Sequence, residues 1–128
     1  MPKKYPFAPI HHTLTNVLTD HNLAQLGDAY TNFVYSLAES SLKHKSTGKK
    51  LKGALLAQAL KKANLRKHLP SRTNTHALAD AAEALLVYAW LHDHITLRES
   101  VITLEKGKNA IEALAQLLTT AKDRIKLS

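Results

Sequence analysis

Residues 77–91 read ALADAAEALLVYAWL, and this run constrains the fold more than any other part of the chain. Apart from Asp80 and Glu83, every side chain in it is apolar or tyrosine. A helix built from it has no polar face to turn to water and must be buried on nearly all sides. Its cover is legible in the flanking segments. Leu23, Leu26, Tyr30, Phe33, Val34 and Leu37 recur at spacings of three and four, which predicts an amphipathic helix over about 22–41. Leu51, Leu55, Leu56, Ala59, Leu60 and Ala63 predict a second, between a loop at 46–50 and a polar stretch at 64–75 that contains Pro70. The apolar helix then spans 76–92, and helices at 97–105 and 110–125 follow, divided by Gly107. Asn22 with Gln25, Thr96 with Glu99, and Asn109 with Glu112 have the spacing of capping boxes. Val and Ile are scattered without alternation, so the expected class is all-α.

A chain of 128 residues suits one domain, with residues 1–12 as an irregular N-terminal segment. Pro6, Pro9, His11 and His12 break any signal-peptide core there, and no run approaches membrane-spanning length. The absence of Cys excludes disulfides and thiolate metal sites and fits a reducing compartment, so the expected location is the cytoplasm. Charge is segregated: of 18 Lys and Arg, ten lie in the acid-free segment 41–79, and the remainder of the chain is slightly acidic. Such a segment is either a polyanion-binding surface or a solvated basic face.

The acids within apolar helices are the candidate functional groups. Asp80 and Glu83, three residues apart, point to nearly the same side of their helix one turn apart. Burying adjacent negative charges is costly unless a cation compensates them, which makes the pair a candidate site. The alternative is two acids in the first turns of a helix, favoured by its dipole. Asp28 follows Gly27 in mid-helix, where Gly costs about 1 kcal/mol relative to Ala. Ala24, Gly27, Thr31 and Ala38 form a seam of small side chains that lets another helix approach closely, while Asp28 and Asn32 lie one turn apart off the apolar stripe. Taken alone, Asp28 reads as a solvent-facing acid.

Taken together these residues resemble a known pattern. LAQLGDAYTNFVYSL, residues 23–37, resembles the signature helix of the ribonuclease III family, a Gly-Asp-Ala core with Asn four residues after the Asp; Gly27, Asp28, Ala29 and Asn32 match. ADAAEALLVYAWL, residues 79–91, resembles the family's second acidic motif, with Asp80 and Glu83 in place. The resemblance implies an all-α homodimer, paired through the signature helix, that hydrolyses double-stranded RNA with magnesium. It implies further that Asp28, Asp80 and Glu83 are the catalytic and metal-holding groups, for Mg2+ or Mn2+, and that Asn32 supports Asp28. In the basic segment, Lys49, Lys50, Lys52, Arg66, Lys67 and Arg72 are the candidate RNA contacts. Because side chains cannot easily read the deep major groove of A-form RNA, contacts to phosphates and 2′-hydroxyls are expected.

Two positions depart from the family. Ordinary members carry glutamates seven and four residues before the signature Asp, where this chain has His21 and Ala24. The loss favours an alternative, a non-catalytic RNA-binding or ribosome-associated protein on the same fold. The reduced Mini-III branch also reads Leu-Ala, a variable residue, an aliphatic and then Gly-Asp-Ala, as residues 23–29 do, and it lacks a separate double-stranded-RNA-binding domain. The length here leaves no room for one, so the grip on RNA is expected from the catalytic domain itself. The His92-Asp93-His94 cluster lacks the i, i+3 or i, i+4 spacing of ligands on one helix face and is not read as a zinc site.

Overall fold

The computed structural model describes residues 5–125 and 127, so the first four residues of the expected irregular segment lie outside the described residues. Six α-helices form among the described residues: α1 (Leu14–Leu18), α2 (His21–Lys43), α3 (Gly53–Lys62), α4 (Thr75–Leu91), α5 (Leu97–Lys106) and α6 (Ala110–Arg124), with a 3-10 turn at Arg66–His68. No strand occurs among the described residues, and the fold is all-α as expected. The run 77–91 is its axis. In α4, Ala81, Ala82, Ala84, Leu85, Val87 and Ala89 are fully buried. Helices α2, α3 and α6 pack around α4, α5 bridges α2 and α6, and α1 sits between α4 and the 3-10 turn. No helix among the described residues is long and apolar enough to cross a membrane.

The closest approach is that of α2 to α4 at Gly27. A Cβ there would lie 2.5 Å from the carbonyl carbon of Glu83 and nearer still to its carbonyl oxygen, so only glycine lets the two backbones meet this closely. Ala24, Gly27, Thr31 and Ala38 are all buried. At Gly27 the helix that the small-residue seam admits is therefore α4 of the same chain, which offsets the propensity cost of a mid-helix glycine and sets Glu83 beside α2.

The start of α2 differs from expectation. Its N-cap is Asp20, not Asn22: the Asp20 carboxylate accepts the Leu23 amide at 3.0 Å and faces His11 Nε2 at 2.9 Å. Both residues have capping chemistry, and the approach of His11 from the N-terminal segment distinguishes them. Burial raises the Asp20 pKa, but the Leu23 amide and His11 outweigh it and hold the carboxyl below its usual value. Replacing Asp20 with Ala is expected to lower stability by about 1–2 kcal/mol, read from urea unfolding; an unchanged midpoint would refute the capping role. Residues 5–12 contain no helix and lie against α4, with His11 N donating to the Tyr88 hydroxyl (3.2 Å), His92 Nε2 on the Pro9 carbonyl (2.7 Å) and Tyr5 packed on Trp90. Helix α1 was not legible, because five residues carry too little periodicity; Thr13 caps it and Thr15 ties it to the His68 carbonyl. The Thr96–Glu99 capping box forms completely. Asn109 caps the Glu112 amide at 2.9 Å, but the Glu112 carboxylate pairs instead with Lys62.

Candidate active site

One face of α2 organises the site. Asp28, Asn32, Ser36 and Ser40 follow one another at i, i+4 spacing, which stacks them in a row along the helix. Three of them hold the loop that leads into α3. Ser40 Oγ accepts the Thr47 amide at 2.9 Å, Ser36 Oγ accepts the Lys49 amide at 2.8 Å, and Asn32 Oδ1 accepts the Leu51 amide at 2.7 Å. At the end of the row the Asn32 side-chain amide donates to Asp28 Oδ1 at 3.1 Å. Asn32 thus orients Asp28 and anchors the loop that carries Lys50.

A cavity of about 540 Å3 opens here between α2 and α4, and its walls include Asp28, Asp80, Glu83, Lys50, His21 and His76. Glu83 is only 7% exposed. Its pKa rises to about 8, through burial first, then a hydrogen bond with the Asp28 carboxyl and the negative charges of Asp28 and Asp80; Lys50 pulls weakly the other way. With its pKa near 8, Glu83 keeps its proton at neutral pH, because its ionised form would lie buried beside the charges of Asp28 and Asp80. Asp80 is half-buried at the rim, with His76 Nε2 3.5 Å away one turn earlier on α4. The structure therefore brings together the three acids of two sequence motifs, Asp28 and Glu83 in hydrogen-bond reach and Asp80 near enough to act on Glu83 electrostatically.

The donor set suits a hard divalent cation: the carboxyl oxygens of Asp28 and Glu83 meet at one cavity. Among the described residues no group of three or more His, Asp or Glu forms a ready cage. Magnesium does not require one, since it keeps several waters and binds through one or two carboxylates together with substrate phosphates. The carboxyls of Asp28 and Glu83 fit that mode.

A family model described as Ribonuclease III matches residues 21–127. The chain belongs to the ribonuclease III family. No curated protein sequence matches it significantly. Within this ribonuclease III domain, His21 and Ala24, the two positions that depart from ordinary members, both line the acidic cavity. The departures lie at the site itself and leave it with fewer carboxylates.

The six basic candidates separate. Lys50 lines the acidic cavity, and Arg72 lines an adjoining one that also contains Asp80. Lys49 is paired with Glu39 at 3.1 Å. Arg66 donates to the Leu69, Pro70 and Ser71 carbonyls, which makes it a clasp for the loop before α4. Lys52 and Lys67 are exposed and do not line the acidic cavity. The sequence reading missed Gln25 and His76 as cavity residues and the Ser36–Ser40 row as the loop's anchor. The i, i+4 series Asp28, Asn32, Ser36, Ser40 signalled the row, and the same spacing before Asp80 signalled His76; Gln25 had no such signal.

Proposed function

We propose that this chain is a magnesium-dependent endoribonuclease that hydrolyses phosphodiester bonds in double-stranded RNA, working as a two-fold homodimer of the reduced, Mini-III-like kind. The observation that carries this reading is the meeting of Asp28 and Glu83 from two separate motifs in one cavity beside Lys50. Asp28 and Glu83 would hold magnesium, or manganese in its place, which would supply Lewis acidity to the phosphodiester chemistry. The protein's own part is positional. Asn32 fixes the Asp28 carboxylate, the α2–α4 contact at Gly27 fixes Glu83, and Lys50 offers a cation to a backbone phosphate. The deciding experiment is a cleavage assay on a generic RNA duplex with magnesium: wild type cuts, and Asp28→Asn loses at least about 100-fold in rate while still binding the duplex. A wild type that binds duplex and never cuts would favour the second reading, a non-catalytic RNA-binding or ribosome-associated protein, which the carboxylate-poor positions His21 and Ala24 support.

Affinity for RNA rests on phosphate contacts. Lys50→Ala and Arg72→Ala are each expected to reduce the salt slope of duplex binding by about 0.7–0.9, and Lys49→Ala by less because Glu39 already engages it. Equal slopes for all variants would return the segment to a solvated basic face. For the dimer, the seam at Gly27 is already filled by α4, but Leu26 and Phe33 on α2 are exposed, Phe33 by 55%. Two large apolar side chains two turns apart on the signature helix suit a self-complementary contact. Phe33→Glu is expected to yield a folded monomer by light scattering, and a wild type that is monomeric at working concentration would remove the dimer.

A further inference from the structure

Beside the acidic cavity lies a second one, of about 320 Å3, that the proposed chemistry does not use. Leu18, Leu69, Pro70 and Ala77 give it apolar walls, Arg72, Thr73 and Asn74 add polar groups, and Asp20, already engaged by the Leu23 amide and His11, adds an acid. Its volume lies within the range of small-molecule sites. His21, Ala24 and Asp80 line both cavities, so the two adjoin as one trough, acidic at one end and largely apolar at the other. Lys50 at the acidic end and Arg72 at the apolar end make no hydrogen bond or ion pair with the described protein. Asn74 uses its side-chain oxygen to cap α4 through the Ala77 amide at 2.8 Å, which leaves its NH2 group to donate.

We infer that the apolar cavity is a subsite for the base of an unpaired nucleotide adjoining the phosphate held at the acidic cavity, so that the domain prefers a duplex interrupted by a bulged base. The placement of that phosphate rests on the nuclease reading above; the base subsite does not. A phosphate or ribose has little apolar surface to bury against Leu18, Leu69 and Ala77, whereas a nucleobase has two apolar faces and polar edges that Asn74 can meet. Paired bases are stacked out of reach, and an already unpaired base enters a pocket at least cost. Lys50 and Arg72 provide the charge complement for the phosphates on either side.

The test uses adenosine 5′-monophosphate, ribose 5-phosphate and inorganic phosphate as probes of the full chain by NMR. Adenosine monophosphate is expected to shift the Thr73 and Ala77 amides, which line the apolar cavity alone, while the two base-free probes do not. Ala77→Leu, which fills the cavity and leaves the acids in place, should abolish that response. Equal shifts with all three probes, or none at Thr73 and Ala77, would overturn the subsite, and this result is read on wild type and so does not depend on the variant folding. With RNA, wild type should bind a duplex with a single bulged nucleotide about tenfold more tightly than a fully paired one, and Ala77→Leu should bind both alike. A wild-type ratio of one would overturn the substrate preference. Base-dependent shifts in a protein that cuts no RNA would sustain the subsite and defeat the nuclease reading alone.

Discussion

Glu83→Gln is expected to abolish RNA cleavage and, in metal-free buffer above pH 8, to raise the melting temperature of the protein. The Glu83 carboxyl titrates near 8 in the folded state against 4.5 for an ordinary glutamate, because it is buried and shares its surroundings with Asp28 and Asp80. A carboxyl whose folded pKa is raised is bound to its proton more firmly in the native state. Its contribution to stability is therefore fully present below about pH 4.5 and is lost as pH rises through about 8. Glutamine cannot ionise, so the variant should match wild type at pH 4 and exceed it increasingly up to pH 8, by an upper bound on the order of 5 kcal/mol. Magnesium should reverse the order: on the proposed function it would bind with Glu83 ionised, displacing the Glu83 proton and stabilising wild type more than the variant. Thermal melts at pH 4, 6 and 8.5, with and without magnesium, check this. A variant less stable than wild type at pH 8.5 without metal would show that Glu83 is held by favourable contacts and is not under electrostatic strain.

Gly27→Ala is expected to be severely destabilising although it replaces a poor helix former with the best. On propensity alone it gains about 1 kcal/mol. The added Cβ, however, meets the Glu83 carbonyl group, and backbone on a packed helix cannot rotate away as a side chain can. Helices α2 and α4 must separate, which disturbs the contacts around α4 and shifts Glu83 relative to Asp28. A net loss of about 3 kcal/mol, equivalent to a fall in melting temperature on the order of 10 °C, should accompany loss of cleavage even where the protein stays folded. A higher melting temperature would mean that the two helices are not in contact at this glycine. Gly27→Ser provides a second case, since its Cβ meets the same obstacle without the propensity gain of alanine.

The two substitutions mark what each level of description contributes. The amphipathic period of α2, the unbroken apolarity of α4 and the Thr96–Glu99 box are local patterns, and the helices they announce form where expected. The motif residues Asp28, Asp80 and Glu83 stood out through their resemblance to the family pattern, yet Asp28 alone read as a solvent-facing acid, and on α2 it is indeed exposed. Its meaning comes from Glu83 across the Gly27 contact. The cations were less legible still. Lys49, Lys50 and Arg66 look alike as positive charges in one segment, but Lys49 answers Glu39, Arg66 clasps a loop and Lys50 joins the acidic cavity. Which of these a cation does depends on where the loop is pinned, and that is decided by Asn32, Ser36 and Ser40 on another element.

By itself, then, the sequence determined the class of the fold and most of its helices, because hydrophobic periodicity and capping act over a few residues and leave their mark in composition. Only the tertiary structure decided that Asp20 rather than Asn22 begins α2, that α4 fills the seam at Gly27, that Glu83 is held near a pKa of 8, and that two cavities adjoin at His21, Ala24 and Asp80. Each of these depends on groups far apart in the chain meeting in a medium from which water is excluded. Burial and through-space charge depend on what surrounds a residue, and no local pattern of residues records its surroundings.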